Sequence, residues 1–206
     1  KAPDFVSILE TVQNALPEGL LLQMKNLLFS DKLVFVLNGD FKEPEFYQAA
    51  LEDIKKRLFE QEGLLTSMGL GSLYDSYDKV GKSYLESVNA LDYRLIYGRN
   101  CLITPNMYIH TSSDIGYPTG DLEILYTAIV SHNTELATKI IQRLQEFTKS
   151  KNCSLHAAKY ICFDTFSVLR KTPAFSNLGY VDTLSQNLNI TQLTNFETVD
   201  EFFVAL

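Results

Sequence analysis

Cysteine is scarce in this chain. Cys101, Cys153 and Cys162 are its only three, an odd number without Cys-X-X-Cys pairing, which argues against a disulfide framework or a zinc knuckle and suits a reducing, cytoplasmic setting. Glycine and proline are also few, 10 and 6 among 206 residues, and no low-complexity segment interrupts them. A disordered or fibrous chain is thereby excluded. No apolar run approaches the roughly 20 residues that a bilayer span needs, so this stretch makes no membrane contact of its own. Basic runs are missing too: 18 Lys and Arg stand against 25 Asp and Glu, a formal charge of −7, and nothing here matches a polyphosphate backbone.

What the chain has is core-forming material, 46% hydrophobic against 21% charged residues. A chain of this length buries roughly 70% of its extended surface on folding. Asp4 can cap a helix whose Phe5, Ile8, Leu9, Val12 and Leu16 share one face, ended by Pro17-Glu18-Gly19. In "GLLLQMKNLLFSDKLVFVLNGD" alternation gives way to the unbroken run Leu33 to Leu37, which reads as a hairpin turned at Ser30-Asp31, its second strand central in the sheet. Pro44 opens a second helix through Phe46, Ala50, Ile54 and Leu58, with Lys55, Lys56 and Arg57 outward. A strand over Leu64 to Leu70 ends in Gly69-Leu70-Gly71, a helix runs from Asp78 past Leu95 to a C-cap at Gly98, and "NCLITP" forms a last strand. This order predicts an α+β domain over 1–106. Residues 106–120 read as a linker, and 107–206 as an all-α domain with helices around Leu122 to Ile129, Leu136 to Phe147, Leu155 to Leu169, Val181 to Leu188 and after Thr198. Thr198 and Glu201 have capping-box spacing. The helix they start runs out after two turns, and the chain begins without Met, so a piece of a longer protein is expected.

Candidate chemistry is sparse. Gly81-Lys82-Ser83 matches the last three letters of a phosphate-binding loop, but Ser76 stands where the first glycine belongs and "DSYDKV" carries two carboxylates that would repel phosphate. The competing reading is a helix capped by Asp75, Ser76 or Asp78, with Gly69 and Gly71 letting the strand end pass close over it. His110, His132 and His156 lack metal-ligand spacing. Cys101 and Cys162 have no base placed to activate a thiolate, and Cys162 falls on an apolar helical face. The pairs Asp75 with Asp78 and Asp121 with Glu123 fall at helix starts, where the dipole favours negative charge. Sequence reasoning therefore assigns no catalytic, cofactor-binding or metal-binding residue and no cofactor.

A longer pattern is more specific. "LLTSMGLGSLYDSYDKVGKSYLESVNALDYRLIYGRNCLI" resembles the corresponding stretch of degenerate GGDEF-like domains of bacterial regulators, through Gly69 and Gly71, Ser83-Tyr84, Ala90-Leu91, Tyr93-Arg94, and Gly98 with Asn100. "YPTGDLEILYTAIVSHNTELATKIIQRL", with Tyr117-Pro118, Glu123, Ala137 and Leu144, is similar to the helical region that follows such a domain in AraC-type transcription regulators. The resemblance implies a degenerate GGDEF-like (nucleotidyl-cyclase-like) sheet with packed helices over 1–106 and a helical domain over 107–206. It further implies a sensor or receiver upstream, a helix-turn-helix DNA-binding domain downstream, and a homodimer that meets DNA only through that domain. The segment would be cytoplasmic, in a full-length protein that is membrane-tethered or soluble. Active cyclases of this kind hold metal with carboxylates on the hairpin turn; here Leu28-Phe29-Ser30-Asp31-Lys32 offers Asp31 alone. No catalysis is therefore expected. A receptor for a small-molecule or nucleotide effector, with tyrosines lining a pocket, is the alternative.

Overall fold

A helix buries a stripe when apolar residues recur every three or four positions, and the start of the chain obeys that rule. The computed structural model describes residues 5–16, 20–25, 33–38, 44–108, 117–150, 153–172 and 196–206. Helix α1 spans Phe5–Ala15, with Ile8, Val12 and Leu16 buried. Strands β1 (Leu20–Lys25) and β2 (Leu33–Asn38) pair antiparallel, Leu20 opposite Asn38 and Lys25 opposite Leu33. The expected turn at Ser30-Asp31 lies outside the described residues. Leu33, Phe35 and Leu37, at alternate positions, all pack on a core of Ile8, Val12, Leu16, Ile54 and Leu58, as the period of two along a strand requires. The last two come from α2 (Pro44–Glu62), which packs on α1. Gly63, at φ 68, ends α2 with its N–H on the Phe59 carbonyl at 3.0 Å. That left-handed conformation favours glycine.

The forty-residue pattern folds as a crossover unit. Strand β3 (Met68–Gly69), helices α3 (Val80–Asp92) and α4 (Arg94–Tyr97), and strand β4 (Leu102–Ile103) follow one another. β3 and β4 lie parallel, Met68 beside Leu102 and Gly69 beside Ile103, and parallel strands require such a helical connection. Three expectations are corrected. The strand predicted over Leu64–Leu70 is two residues long: the Leu64 N–H is turned back to the Leu58 carbonyl of α2 at 3.2 Å, and pairing with β4 starts only at Met68. Among the described residues the four strands accordingly form two two-stranded sheets, so β2 is not central in a larger one. The helix predicted from Asp78 is a 3-10 turn over Tyr77–Lys79 followed by α3, a break at Tyr93, and α4.

The chain divides into two compact units, Lys1–Leu91 with Asn100–Pro105, and Asp92–Arg99 with Asn106–Leu206. Among its described residues the second unit is helical: α4, then α5 (Thr119–Val130), α6 (Thr134–Thr148), α7 (Leu155–Lys171) and α8 (Val199–Ala205). Its core joins Ile96, Leu122, Leu125, Ile140, Leu144, Ile161, Phe202 and Phe203, among others. Caps mark the helix starts: Asn133 accepts from the Leu136 N–H at 3.0 Å and Ser154 from the Ala157 N–H at 3.1 Å. Leu136, expected on the apolar face of α6, is instead exposed in that first turn. Of the expected linker, 106–107 complete a 3-10 turn begun at Pro105 and Thr119 already belongs to α5, while 109–116 lie outside the described residues. So does the helix predicted over 181–188. The protein is thus mostly helical, with a small amount of sheet in an α+β arrangement.

Candidate functional site

The stretch that spells part of a phosphate loop is a packing junction between the end of β3 and the start of α3. Ser83, Ser87 and Leu91 recur every four residues and form a ridge along α3. A Cβ on Gly71 would fall under 3.0 Å from the Ser83 carbonyl and hydroxyl oxygens, and one on Gly69 under 3.0 Å from the Ser87 carbonyl and Leu91 Cγ. Both glycines are there because the strand backbone lies directly on that ridge. A Cβ on Gly81 would meet nothing within 4 Å. Gly81 is an exposed helical residue.

The polar groups of this junction face one another. Ser83 Oγ donates to the Ser72 carbonyl at 2.9 Å, the Ser72 N–H donates to Glu86 Oε2 at 2.8 Å, and the Tyr74 hydroxyl donates to Glu86 Oε1 at 2.6 Å. Lys82 Nζ stands 5.0 Å from the centre of the Tyr74 ring and Lys79 Nζ 5.7 Å from it. Burial pushes the Glu86 carboxyl up, but the Tyr74 and Ser72 hydrogen bonds and the Lys82 charge outweigh it and leave the group below its ordinary value. Contact with Tyr74, and less so Glu86, lifts Lys82 above the usual lysine value. The amides just ahead of Gly81 are occupied as well, since Lys79 N–H bonds Ser76 O at 3.1 Å and Val80 N–H bonds Tyr77 O. A phosphate loop needs free amides and a free lysine; this site offers a carboxylate. Ser76 gives no side-chain cap to the turn and donates instead to Asp78. Sequence reasoning missed Tyr74 and Glu86, whose pairing crosses a loop that no local spacing encodes.

Other positions of the pattern have local physical reasons. Ala90 is fully buried. Tyr93 stacks on Tyr108 with ring centres 4.6 Å apart, and the Tyr97 hydroxyl donates to the Met107 carbonyl at 2.9 Å. Gly98 (φ 87, ψ −173) takes a positive-φ extended backbone open essentially to glycine alone, and Asn100 (φ 56) a positive φ that asparagine tolerates better than most residues. Between them Arg99 reaches Glu197 (Nε to Oε2, 3.2 Å) and Glu201 (Nη2 to Oε1, 2.5 Å), while Arg94 Nη2 lies 3.5 Å from Glu197 Oε1. Glu201 also accepts from the Glu197 N–H at 3.1 Å, and its own N–H donates to Thr198 Oγ1 at 3.1 Å. The capping box read from Thr198 and Glu201 forms, with the returning bond made one residue earlier than usual. Asp200 takes Lys149 Nζ and Gln145 Nε2, and the Lys149 contact holds its carboxyl below the usual range.

The remaining candidates fall in structural positions. Asp121 pairs with Arg143 at 3.2 Å. Tyr117 donates to Asp164 Oδ2 at 2.6 Å, and burial together with that carboxylate pushes its phenol up. Cys153 and Cys162 are buried in the second core, and burial pushes their thiols up to about 11 and about 12. Such thiols are poor nucleophiles at neutral pH. His132 sits in the α5–α6 turn at φ 55 and His156 is exposed in the first turn of α7, whereas His110 and Asp31 lie outside the described residues. Among the described residues, no three His, Cys, Asp or Glu side chains gather to hold a metal, and no helix is long and apolar enough to cross a membrane. An open depression of about 390 Å³ on the first unit is lined by Glu52, Asp53, Lys55, Lys56, Phe59 and Asn100, with no tyrosine. Compared with protein-family models, curated proteins and solved structures, the chain matches none of them.

Proposed function

We propose that this chain is the regulatory, signal-transmitting segment of an AraC-type transcription regulator. In this reading residues 1–106 are a degenerate GGDEF-like domain without turnover, and 107–206 a helical domain leading toward a helix-turn-helix DNA-binding domain. The segment works in the cytoplasm as part of a homodimer, and DNA is met only by the downstream domain. Its mechanism is mechanical: input from an upstream sensor or receiver changes how the segment packs or self-associates, and so sets the spacing of the DNA-binding domains, which read half-sites about one helical turn apart. The observation that carries the reading is the Gly69 to Asn100 pattern, which folds as one β3–α3–β4 unit with Asp92–Arg99 committed to the second compact unit.

The test is deletion. The intact regulator is compared with a version lacking residues 1–206, measuring operator binding and response to its signal. Loss of the response is expected. Unchanged operator binding together with a retained response would sink the reading.

A further inference from the structure

We infer that the outward face of α7 is a docking surface for an acidic, amphipathic segment of a partner protein, a reading that stands on the second unit alone and apart from the regulatory one. Helix α7 buries Leu155, Ala158, Ile161, Cys162, Thr165 and Leu169. Its opposite side carries His156, Lys159, Tyr160, Phe163, Arg170 and Lys171, all exposed. At about 100° per residue these six fall within a sector of about 120°. Tyr160 is 63% exposed and Phe163 45%, and their i, i+3 spacing makes them neighbours on the helix surface. The two rings form an apolar centre, with Lys159 at one end and Arg170 and Lys171 at the other, about 16 Å further along the axis.

Charge decides what such a face takes. The chain as a whole is acidic, at −7, and elsewhere in the second unit Arg94, Arg99, Arg143 and Lys149 are paired with carboxylates. Among the described residues no carboxylate meets Lys159, Arg170 or Lys171. Asp164, the one acidic residue of α7, is turned to the Tyr117 hydroxyl at 2.6 Å. A partner with carboxylates on either side of an apolar side chain satisfies both parts of the face, since its anions meet the free cations while its apolar group covers the rings. A second copy of the same face does not. A two-fold axis near the middle of α7 would set Lys159 of one copy against Arg170 of the other, and like charges so placed repel. Three cations also fall short of the roughly 4–8 Lys and Arg that mark binding to an anionic lipid surface, and the net charge opposes a nucleic-acid backbone.

Amide NMR on the 206-residue chain tests this with a short acetylated peptide that carries leucine and phenylalanine at helical spacing among glutamates. Saturable shifts are expected along the exposed face of α7. Tyr160→Ala and Phe163→Ala, each at an exposed position, should leave the unfolding midpoint unchanged and weaken the peptide about tenfold. Lys159→Glu combined with Arg170→Glu should weaken it about a hundredfold, whereas Lys139→Glu, at an exposed position of α6, should change it less than about twofold. Raising salt from about 0.05 to about 0.5 M should weaken binding about tenfold. The inference would be overturned by the absence of a saturable shift on α7, or by an all-glutamate peptide that binds equally well. Tighter binding of single-stranded DNA or of phosphatidylserine vesicles would overturn it too, as would dimerisation of the chain that Phe163→Ala abolishes.

Discussion

Helices α3 and α8 both begin among charged side chains, and opposite means hold them. At α3 the letters Gly-X-Gly and Gly-Lys-Ser advertise a ligand, yet the contact is made by the absence of side chains: two glycines let a strand lie on the Ser83–Ser87–Leu91 ridge. At α8 no recognised motif beyond a capping box is present, yet Arg94, Arg99, Lys149 and Gln145 converge on Glu197, Asp200 and Glu201. Residues that look functional in one dimension therefore pack, while residues that look like surface form the more elaborate electrostatic site. The difference comes from range, because a motif is a local pattern and an ion cluster is assembled by the fold.

The largest effect should come from the apolar anchor of α8. Phe202 is 1% exposed and meets Phe196 and Phe203 edge-on. Phe202→Ala should cost about 3–5 kcal/mol in urea unfolding of the second unit. A loss under 1 kcal/mol would mean that charge alone seats the helix. Next is Gly71→Ala, for which overpacking against the α3 backbone should cost about 1–3 kcal/mol. A neutral result would show that the strand does not lie on that ridge.

Glu86→Gln sharpens the comparison through pH. The folded Glu86 carboxyl titrates below its unfolded value, so its stabilisation is complete above the unfolded pKa of about 4.3 and fades as pH falls through the folded one. The variant should lose about 1 kcal/mol at pH 7, with a difference from wild type that narrows steadily in acid. A gap that stays constant from pH 7 to pH 3 would contradict the assigned hydrogen bonds. The smallest effect belongs to Gly81→Ala. With open space around its Cβ position, the variant should gain up to about 1 kcal/mol from helix propensity, whereas a phosphate loop would tolerate no such change.

Much of the architecture was legible in local pattern. The apolar faces of α1, α2, α5, α6 and α7, the cap residue Thr198, and the C-cap glycine at Gly98 all follow from spacing and residue chemistry within a few positions. The close approach at Gly69 and Gly71 was legible for the same reason. What escaped depended on distant partners. The bonds from Ser72 to Ser83 and Glu86 cross a loop, and the break at Tyr93 accompanies commitment of 92–99 to another core. No spacing rule pairs Arg99 with Glu201. The Gly69 to Asn100 stretch has a plain physical content, a strand packed on a crossover helix and a positive-φ exit, and its letters serve that packing.

Nucleotide titration followed by amide NMR tests the central contention most directly. With GTP or ATP and Mg²⁺ raised to millimolar levels, the account predicts no saturable shift at Ser72, Tyr74, Gly81, Lys82, Ser83 or Glu86. A saturable shift at those amides that vanishes in Lys82→Ala would contradict it.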